Sequence, residues 1–176
     1  MSKVKLFIAC SLDGYIATED GSVSWLNDLP QFEEDSSYDE FYQSVGVLVM
    51  GSKTYLQVVD ELSETWPYPG VKTYVLSSKI SRDDDLITSV NMPVETLVRK
   101  LKEESTEDIW IVGGSRTISP LINHNLIDEY IIGIVPKLLG NGIPLFQSIE
   151  NPQTLRLINT YRKNDIVYVH YAPKDR

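Results

Sequence analysis

The 176-residue sequence lacks several features by which proteins are often classified. A single cysteine, Cys10, excludes an intrachain disulfide and a cysteine-rich zinc cluster. The two histidines, His124 and His170, have no ligand spacing around them, so we expect no metal site. No apolar run approaches the ~20 residues of a membrane-spanning helix, and the start of the chain has no apolar signal core. We therefore expect a cytoplasmic protein without membrane contact.

Positive charge is also scarce. The chain has 16 Lys and Arg against 25 Asp and Glu, and its net charge is −9. A field of that sign repels a nucleic-acid backbone, so nucleic acid is not an expected partner. An anionic small molecule would have to be met by local cations and backbone N–H groups. The length and an apolar content of 42% suit one domain, residues 1–176, with a substantial core.

Short apolar runs alternate with amphipathic helical patterns along the chain. The predicted strands are 3–9, 45–50, 73–77, 109–112 and 130–135. The predicted helices are 36–44, 52–59, 94–101 and 115–125. Near the end, 154–162 and 166–171 flank a three-residue turn and predict an antiparallel hairpin. This order predicts an α/β fold with three αβα layers, in which a mostly parallel central sheet ends in an antiparallel C-terminal hairpin.

Small, hydroxyl-bearing and cationic residues directly follow three of these strands. Ligands of a parallel sheet collect beyond the carboxyl ends of the strands, where helices offer free N–H groups and the positive end of their dipole. The three junctions are 51–54, 77–79 and 113–117. One junction alone would favour a tight turn, whereas three favour binding of nucleotide phosphates. The pattern is neither a Walker motif nor the G-x-G-x-x-G fingerprint.

A fourth stretch, "ACSLDGYIA", follows the first predicted strand. Asp13 and Gly14 could simply form a turn, since Asp-Gly is a common turn signal. However, the stretch leads into a long irregular segment, roughly 17 to 35, which contains Trp25. Long loops in compact domains are often functional lids.

Five motifs occur in order over about residues 4 to 171: "FIACSLDGYIA", "VLVMGSKTY", "VLSSK", "IVGGS" and "DEYIIGIVPKLLGNGIPLF". In these motifs and their spacing the chain resembles the dihydrofolate-reductase-like superfamily. It is most similar to the reductase domain of bifunctional riboflavin-biosynthesis proteins, the RibD C-terminal domain, and to single-domain relatives of that domain. The resemblance implies a dihydrofolate-reductase-like fold and hydride transfer from NADPH to a bound heterocycle.

The resemblance also implies roles for particular residues. Those lining the nicotinamide end would be Ala9, Asp13, Gly14 and Ile16. Those holding the ribose 2′-phosphate and adenine side would be Gly51, Lys53, Thr54, Ser77, Ser78 and Lys79. Those taking the pyrophosphate would be Gly113, Gly114, Ser115, Arg116 and Thr117.

Two carboxylates are candidates for catalysis. Dihydrofolate reductases use a carboxylate on their first helix, and an ungapped count back from Gly51 places Asp35 at that position. The alternative for Asp35 is a helix N-cap. Asp13 is the second candidate, because a carboxylate near a nicotinamide could orient substrate or relay a proton through water.

Three positions depart from the family pattern. Relatives usually have arginine where this chain has Ser52, which leaves NADH possible beside NADPH. Ile118 replaces an aromatic residue of classical dihydrofolate reductases, and Val112 stands where riboflavin enzymes often have glutamate. The resemblance, together with the three junctions, predicts an NAD(P)H-dependent reductase of a small pterin- or pyrimidine-like heterocycle. Two alternatives stay open: the 5-amino-6-(5-phosphoribosylamino)uracil reductase of riboflavin biosynthesis, and a nucleotide-binding protein without turnover.

The C-terminal hairpin predicts a homodimer. Its second strand, 166–171, has apolar or aromatic residues on both sides and no evident wet face. An exposed apolar surface of this kind invites association unless something covers it. Relatives commonly pair through this region, which agrees with the pattern. The alternative is that a helix of the same chain covers the hairpin.

Overall fold

The computed structural model describes residues 2–27, 36–62 and 65–174. Its strands are β1 (Val4–Ser11), β2 (Tyr15–Ala17), β3 (Val45–Gly51), β4 (Lys72–Leu76), β5 (Ile87–Val90), β6 (Asp108–Gly113), β7 (Glu129–Val135), β8 (Ile143–Pro144), β9 (Leu155–Lys163) and β10 (Ile166–Pro173). Its α-helices are α1 (Ser36–Gln43), α2 (Ser52–Gln57), α3 (Val94–Glu104) and α4 (Ser115–Asn123). A 3₁₀ turn spans Ser24–Leu26, and a π-helical turn, Val58–Leu62, extends α2. No helix in these ranges is long and apolar enough to cross a membrane.

Eight of the strands form one sheet in the order β5-β4-β3-β6-β1-β7-β10-β9. The first six are parallel to one another, and β10 and β9 are antiparallel to their neighbours. The remaining two, β2 and β8, form a small antiparallel pair. The predicted mostly parallel sheet with a C-terminal hairpin is confirmed.

Helices cover both faces of this sheet. Side chains alternate along each strand, so Val47 and Val49 of β3 belong to one core, whereas Leu48 and Met50 belong to the other. The first core includes the buried stripes of α3 and α4, and the second includes residues of α1 and α2. The residues buried on α3 are Val94, Leu97, Val98 and Leu101. The predicted three layers are therefore confirmed, and each layer is held by the burial of apolar surface.

The structure corrects two sequence-based predictions. β5 was not predicted, because it is a four-residue edge strand in which only Ile87 is buried. The predicted three-residue turn of the hairpin is wrong, because Lys163 pairs with Ile166 and leaves a turn of two residues. Asn164 occupies the left-handed region there, with φ of 51°, which asparagine tolerates better than most residues.

The hairpin is buried on one face by the chain itself. β10 lies between β7 and β9, and its Ile166 and Tyr168 are buried in the second core. A Cβ on Gly133 of β7 would lie 2.9 Å from the Tyr168 ring, so glycine makes room for that ring. β9 is the edge strand, and nearly all of its residues are partly or fully exposed.

Candidate active site

A crevice forms where the parallel strands β3, β6 and β1 end. The chain leaving β3 enters α2 on one face of the sheet, whereas the chain leaving β6 enters α4 on the other. Neighbouring strands that send their connections to opposite faces leave an opening between them, and ligands of α/β proteins bind at such switch points. The two predicted phosphate junctions at 51–54 and 113–117 lie on either side of this opening.

The glycine pair lies at the end of β6, the strand between β3 and β1. Gly113 has φ of 132°, a conformation that favours glycine, and its peptide bond to Gly114 is cis. Gly114 has φ of −79°, which any residue can adopt. A Cβ built on Gly114 would lie 3.9 Å from both Ile16 Cδ1 and Thr54 Oγ1. Gly114 therefore keeps open a space between β2 and α2 that a larger side chain would fill.

The first turns of α2 and α4 touch. A Cβ on Gly51 would lie 3.3 Å from Thr117 Oγ1, so glycine permits the close approach of the two helix starts. Ser115 and Thr117 are only 4% and 5% exposed, although both carry hydroxyl groups. Hydroxyls and free N–H groups at helix starts are suited to binding phosphate oxygens.

Three cations stand at this edge of the sheet. Lys53 follows β3, Lys79 follows β4 and Arg116 follows β6, and all three are exposed. Among the residues that the structure describes, no carboxylate forms an ion pair with any of them. The Ser77 hydroxyl accepts hydrogen bonds from the backbone N–H groups of Lys79 and Ile80, at 3.0 and 2.8 Å, and so shapes the turn that presents Lys79. Ser78 is exposed in the same turn.

A loop distant in sequence packs against the start of α4. Gln147 Nε2 donates a hydrogen bond of 2.7 Å to Ser115 Oγ. The Ser119 hydroxyl lies 2.7 Å from the carbonyl oxygen of Gln147 and 3.0 Å from that of Ser115. Gln147 was not among the predicted site residues, because 32 residues separate it from Ser115 and it lies just beyond the last residue of the fifth motif, Phe146.

Asp13 lies in the turn between β1 and β2 and anchors a second loop. Its carboxylate accepts hydrogen bonds from the Ser11 hydroxyl at 2.6 Å, from Gly140 N at 2.7 Å and from Leu139 N at 3.1 Å. The bond from Ser11, together with the two backbone N–H groups, holds the pKa of the Asp13 carboxyl below its ordinary value. This geometry favours a charged anchor for the loop over a proton donor. A catalytic role for Asp13 stays a prediction.

The nicotinamide-side predictions meet at the ends of β1 and β7. Ala9 pairs with Gly133 across these strands and packs against the same core as Trp25. The indole N–H of Trp25 is buried without an acceptor among the described residues, and its carbonyl oxygen accepts a bond of 3.2 Å from Lys137 Nζ. Gly14 has φ of 87° and accepts from Leu145 N, which ties this turn to the segment after β7. The other carboxylate candidate, Asp35, lies outside the described residues.

Comparison with known proteins agrees with this geometry. The family model of the RibD C-terminal domain matches residues 2–168. The chain belongs to the RibD C-terminal domain family. This family is one of reductase domains with a dihydrofolate-reductase-like fold, so the resemblance seen in the sequence is confirmed.

Individual relatives span nearly the whole chain. YwjB, an uncharacterised protein of Bacillus subtilis (strain 168), is 39% identical over 171 residues, which are 97% of either protein. A solved structure from Shewanella sp. PV-4, assigned to riboflavin biosynthesis, is 29% identical with a TM-score of 0.86 and covers 98% of this chain and 99% of that one. The dihydrofolate reductase of Enterococcus faecalis, complexed with NADP(H), is 18% identical with a TM-score of 0.67 and 98% and 97% coverage. The last likeness shows the fold alone.

A second concavity, of about 500 Å³, lies at the opposite edge of the sheet. It contains the amino ends of β1 and β7, and its charged groups are largely paired. Glu129 accepts from Lys3 Nζ at 2.6 Å and lies 3.1 Å from His170 Nε2, and Lys102 forms an ion pair of 2.8 Å with Asp128. With their charges already neutralised, these groups are less suited to a charged ligand than those at the carboxyl edge.

Proposed function

We propose that this protein is a nicotinamide-dependent reductase that transfers a hydride to a small heterocycle of the pterin or pyrimidine type. The observation that supports this most strongly is the set of exposed cations that follow β3, β4 and β6, none of which forms an ion pair with a carboxylate of the described residues. A chain of net charge −9 has many carboxylates with which to neutralise Lys53, Lys79 and Arg116. Their lack of partners in the described part of the chain favours an anionic ligand with several phosphate oxygens.

The residues present fit a nicotinamide dinucleotide. The pyrophosphate would lie against the start of α4, where Gly114 leaves room and the Ser115 and Thr117 hydroxyls are near. Lys53 and Lys79 would hold the adenosine side, and a 2′-phosphate there would form charge-assisted hydrogen bonds. The cofactor supplies the hydride, and the protein supplies binding and orientation.

The substrate would lie beside the end of β1, next to the nicotinamide. Ala9 offers a small apolar surface for a flat ring, and Trp25 offers an N–H donor without an acceptor among the described residues. A buried donor of this kind is costly unless a partner satisfies it. A ring carbonyl or ring nitrogen of a heterocycle would be such a partner, which supports a pterin or pyrimidine over an apolar substrate. Proton delivery by Asp35 remains part of the proposal.

A narrower candidate is the reductase step on 5-amino-6-(5-phosphoribosylamino)uracil. It is supported by the Shewanella structure assigned to riboflavin biosynthesis and by the Haemophilus influenzae riboflavin biosynthesis protein RibD, 27% identical over 100 residues. Val112 weakens it, because riboflavin enzymes often have glutamate at that position. A binding protein without turnover is the remaining alternative.

One experiment separates the three possibilities. The purified protein is titrated with NADPH and with NADH, and pterins and pyrimidines are then screened for loss of NADPH absorbance. We expect binding of the cofactor and turnover of at least one heterocycle. Turnover of the ribosylated uracil alone would select the narrower candidate, and binding without any turnover would select the binding protein. Absence of cofactor binding would refute the proposed function.

We also propose that the protein forms a homodimer through the hairpin of β9 and β10. Leu157, Ile158 and Val167 are 52%, 43% and 41% exposed, although all three are large apolar residues on this hairpin. An apolar surface on an edge strand is a common site of association. Light scattering measures the state directly: a mass near the 20.0 kDa of one chain, at all concentrations tested, would contradict the dimer.

A further inference from the structure

Gln147 is placed to control a hydroxyl group of the proposed phosphate site. It lies outside the five motifs, in the loop of residues 145–153, and Leu145 anchors that loop in the first core at 2% exposure. The side-chain amide of Gln147 reaches the start of α4, where its Nε2 lies 2.7 Å from Ser115 Oγ. The Ser119 hydroxyl lies 2.7 Å from the carbonyl oxygen of Gln147 and 3.0 Å from that of Ser115, and by donating its one proton to the nearer Gln147 oxygen it ties the loop to α4.

The direction of this hydrogen bond determines what Ser115 can do. A serine hydroxyl has one proton to donate and two lone pairs with which to accept. The Gln147 N–H occupies one lone pair, and no described group accepts the Ser115 proton. Ser115 is the first residue of α4, directly after Gly114, where the pyrophosphate of the proposed cofactor would lie. A phosphate oxygen is the acceptor that this position offers.

We propose that Gln147 is a positioning residue, which donates to Ser115 Oγ and so directs the Ser115 proton towards a phosphate oxygen of the cofactor. The inference rests on the proposed function and adds a specific residue to it. Glutamine suits this role because its amide group donates without bringing a charge near the phosphate. A carboxylate at the same position would accept the Ser115 proton instead and would repel the ligand.

Two substitutions and a matched control test the proposal. Gln147→Met keeps the length and flexibility of the side chain but removes the donor, whereas Gln147→Glu reverses the hydrogen bond. Gln153→Met is the control, because Gln153 lies in the same loop and its Nε2 donates to Ile122 O at 2.6 Å and to Asn125 Oδ1 at 2.8 Å. The Gln153→Met variant therefore removes contacts of the same loop without changing a group that contacts Ser115.

Calorimetric titration of each variant with NADPH gives the affinity, and thermal unfolding reports whether the variant is folded. The proposed hydrogen bond from the Ser115 hydroxyl is made to a charged phosphate group. Losing its alignment should therefore weaken the affinity for NADPH roughly threefold to tenfold in Gln147→Met, and about tenfold or more in Gln147→Glu. We expect Gln153→Met to bind as the unaltered protein does.

A double-variant cycle shows whether Gln147 acts through Ser115. If it does, Gln147→Met should weaken binding in the unaltered protein but not in the Ser115→Ala background. Full additivity of the two changes, equal weakening by Gln153→Met, or a loss confined to Gln147→Glu would overturn the proposal. If the unaltered protein binds neither NADPH nor NADH, the proposed function itself fails, and the role of Gln147 fails with it.

Discussion

Lysines at the amino edge of the parallel sheet differ from those proposed to bind a ligand at its carboxyl edge. At the amino edge three lysines are paired with carboxylates: Lys3 with Glu129 at 2.6 Å, Lys5 with Asp108 at 2.6 Å and Lys102 with Asp128 at 2.8 Å. A fourth, Lys72 at the start of β4, donates to the backbone oxygen of Asp84. Two of the paired carboxylates also accept backbone N–H groups where the first strand begins: Asp108 accepts from Lys3 N, directly before β1, and Asp128 accepts from Val4 N, the first residue of β1. The carboxylates at this edge therefore serve to hold the first strand in the sheet.

At the carboxyl edge, by contrast, Lys53, Lys79 and Arg116 have no carboxylate partner within the residues described. The carboxylate of Asp13, which follows β1 at this edge, accepts hydrogen bonds from Ser11 and from the backbone of the loop after β7. The comparison teaches that charge in this protein is neutralised where it builds structure and left uncompensated where a ligand is proposed to bind.

Filling the crevice at the carboxyl edge should have the largest effect. Gly114→Val adds a side chain where the nearest atoms of Ile16 and Thr54 leave space, and the backbone at Gly114 tolerates any residue. We expect a folded protein that has lost about 1–3 kcal/mol of cofactor binding, which is roughly fivefold to a hundredfold in affinity. Titration with NADPH and a thermal unfolding curve measure the two effects. Unchanged affinity would contradict the phosphate site at the glycine pair.

Removing one cation from each edge sharpens the comparison. Lys79→Ala should weaken NADPH binding by about tenfold or more and leave NADH nearly unaffected, because a charge-assisted contact to the 2′-phosphate contributes on the order of 1.5–3 kcal/mol. Lys102→Ala, the control at the amino edge, should leave both affinities unchanged. Equal weakening of NADPH and NADH by Lys79→Ala would show that Lys79 does not contact the 2′-phosphate.

Neutralising the buried carboxylate of the amino edge should affect stability alone. Glu129 is 8% exposed and has contacts with both Lys3 and His170. We expect Glu129→Gln to lower the free energy of unfolding by about 1–3 kcal/mol, because both partners lose a charged acceptor. Urea unfolding measures this change, and NADPH affinity should stay the same. A variant with unaltered stability and weakened cofactor binding would reverse the roles assigned to the two edges.

The smallest effect is expected at Asp13. Asparagine has the shape of aspartate but no charge, so in Asp13→Asn the Ser11 hydroxyl and the N–H groups of Leu139 and Gly140 lose a charged acceptor. The variant should therefore have a lower melting temperature at neutral pH. Because the folded-state pKa of Asp13 is below its ordinary value of 3.8, the advantage of the carboxylate is present above that value and is lost as the pH falls through the folded-state pKa. The difference in melting temperature should therefore shrink in acid.

A difference between Asp13→Asn and the unaltered protein that is independent of pH would argue against a charged anchor. Turnover is a separate readout. If Asp13 also takes part in the reaction, the variant should lose more activity than cofactor affinity, and full activity would leave only the anchoring role.

Much of the architecture was predictable because hydrophobic patterning is local. The continuous apolar runs of β3, β6 and β7 and the i, i+3, i+4 stripe of α3 identify these elements without tertiary information. β5 escaped prediction because Thr88 and Ser89 interrupt its apolar character and because it pairs with only one strand. Its extended conformation follows from the neighbouring β4 rather than from its own residues.

The residues proposed for the cofactor side could also be named from the sequence, since a glycine, a hydroxyl and a cation after a strand are adjacent along the chain. The contacts across the site could not be predicted in this way. The bond of Gln147 to Ser115 joins positions 32 residues apart, and that of Asp13 to Gly140 joins positions 127 apart. Nothing in the residues around Asp13 distinguishes a turn, a proton relay and a loop anchor.

The sequence by itself determined the order of the longer strands and helices, the positions of the three proposed phosphate junctions and the family, because each depends on residues that are neighbours along the chain. Only the tertiary structure decided which cations are paired and which hydroxyls are oriented. These properties depend on which strands lie side by side and on the few ångströms that separate a donor from its acceptor. Such distances are set by packing across the whole sheet, and no local pattern records them.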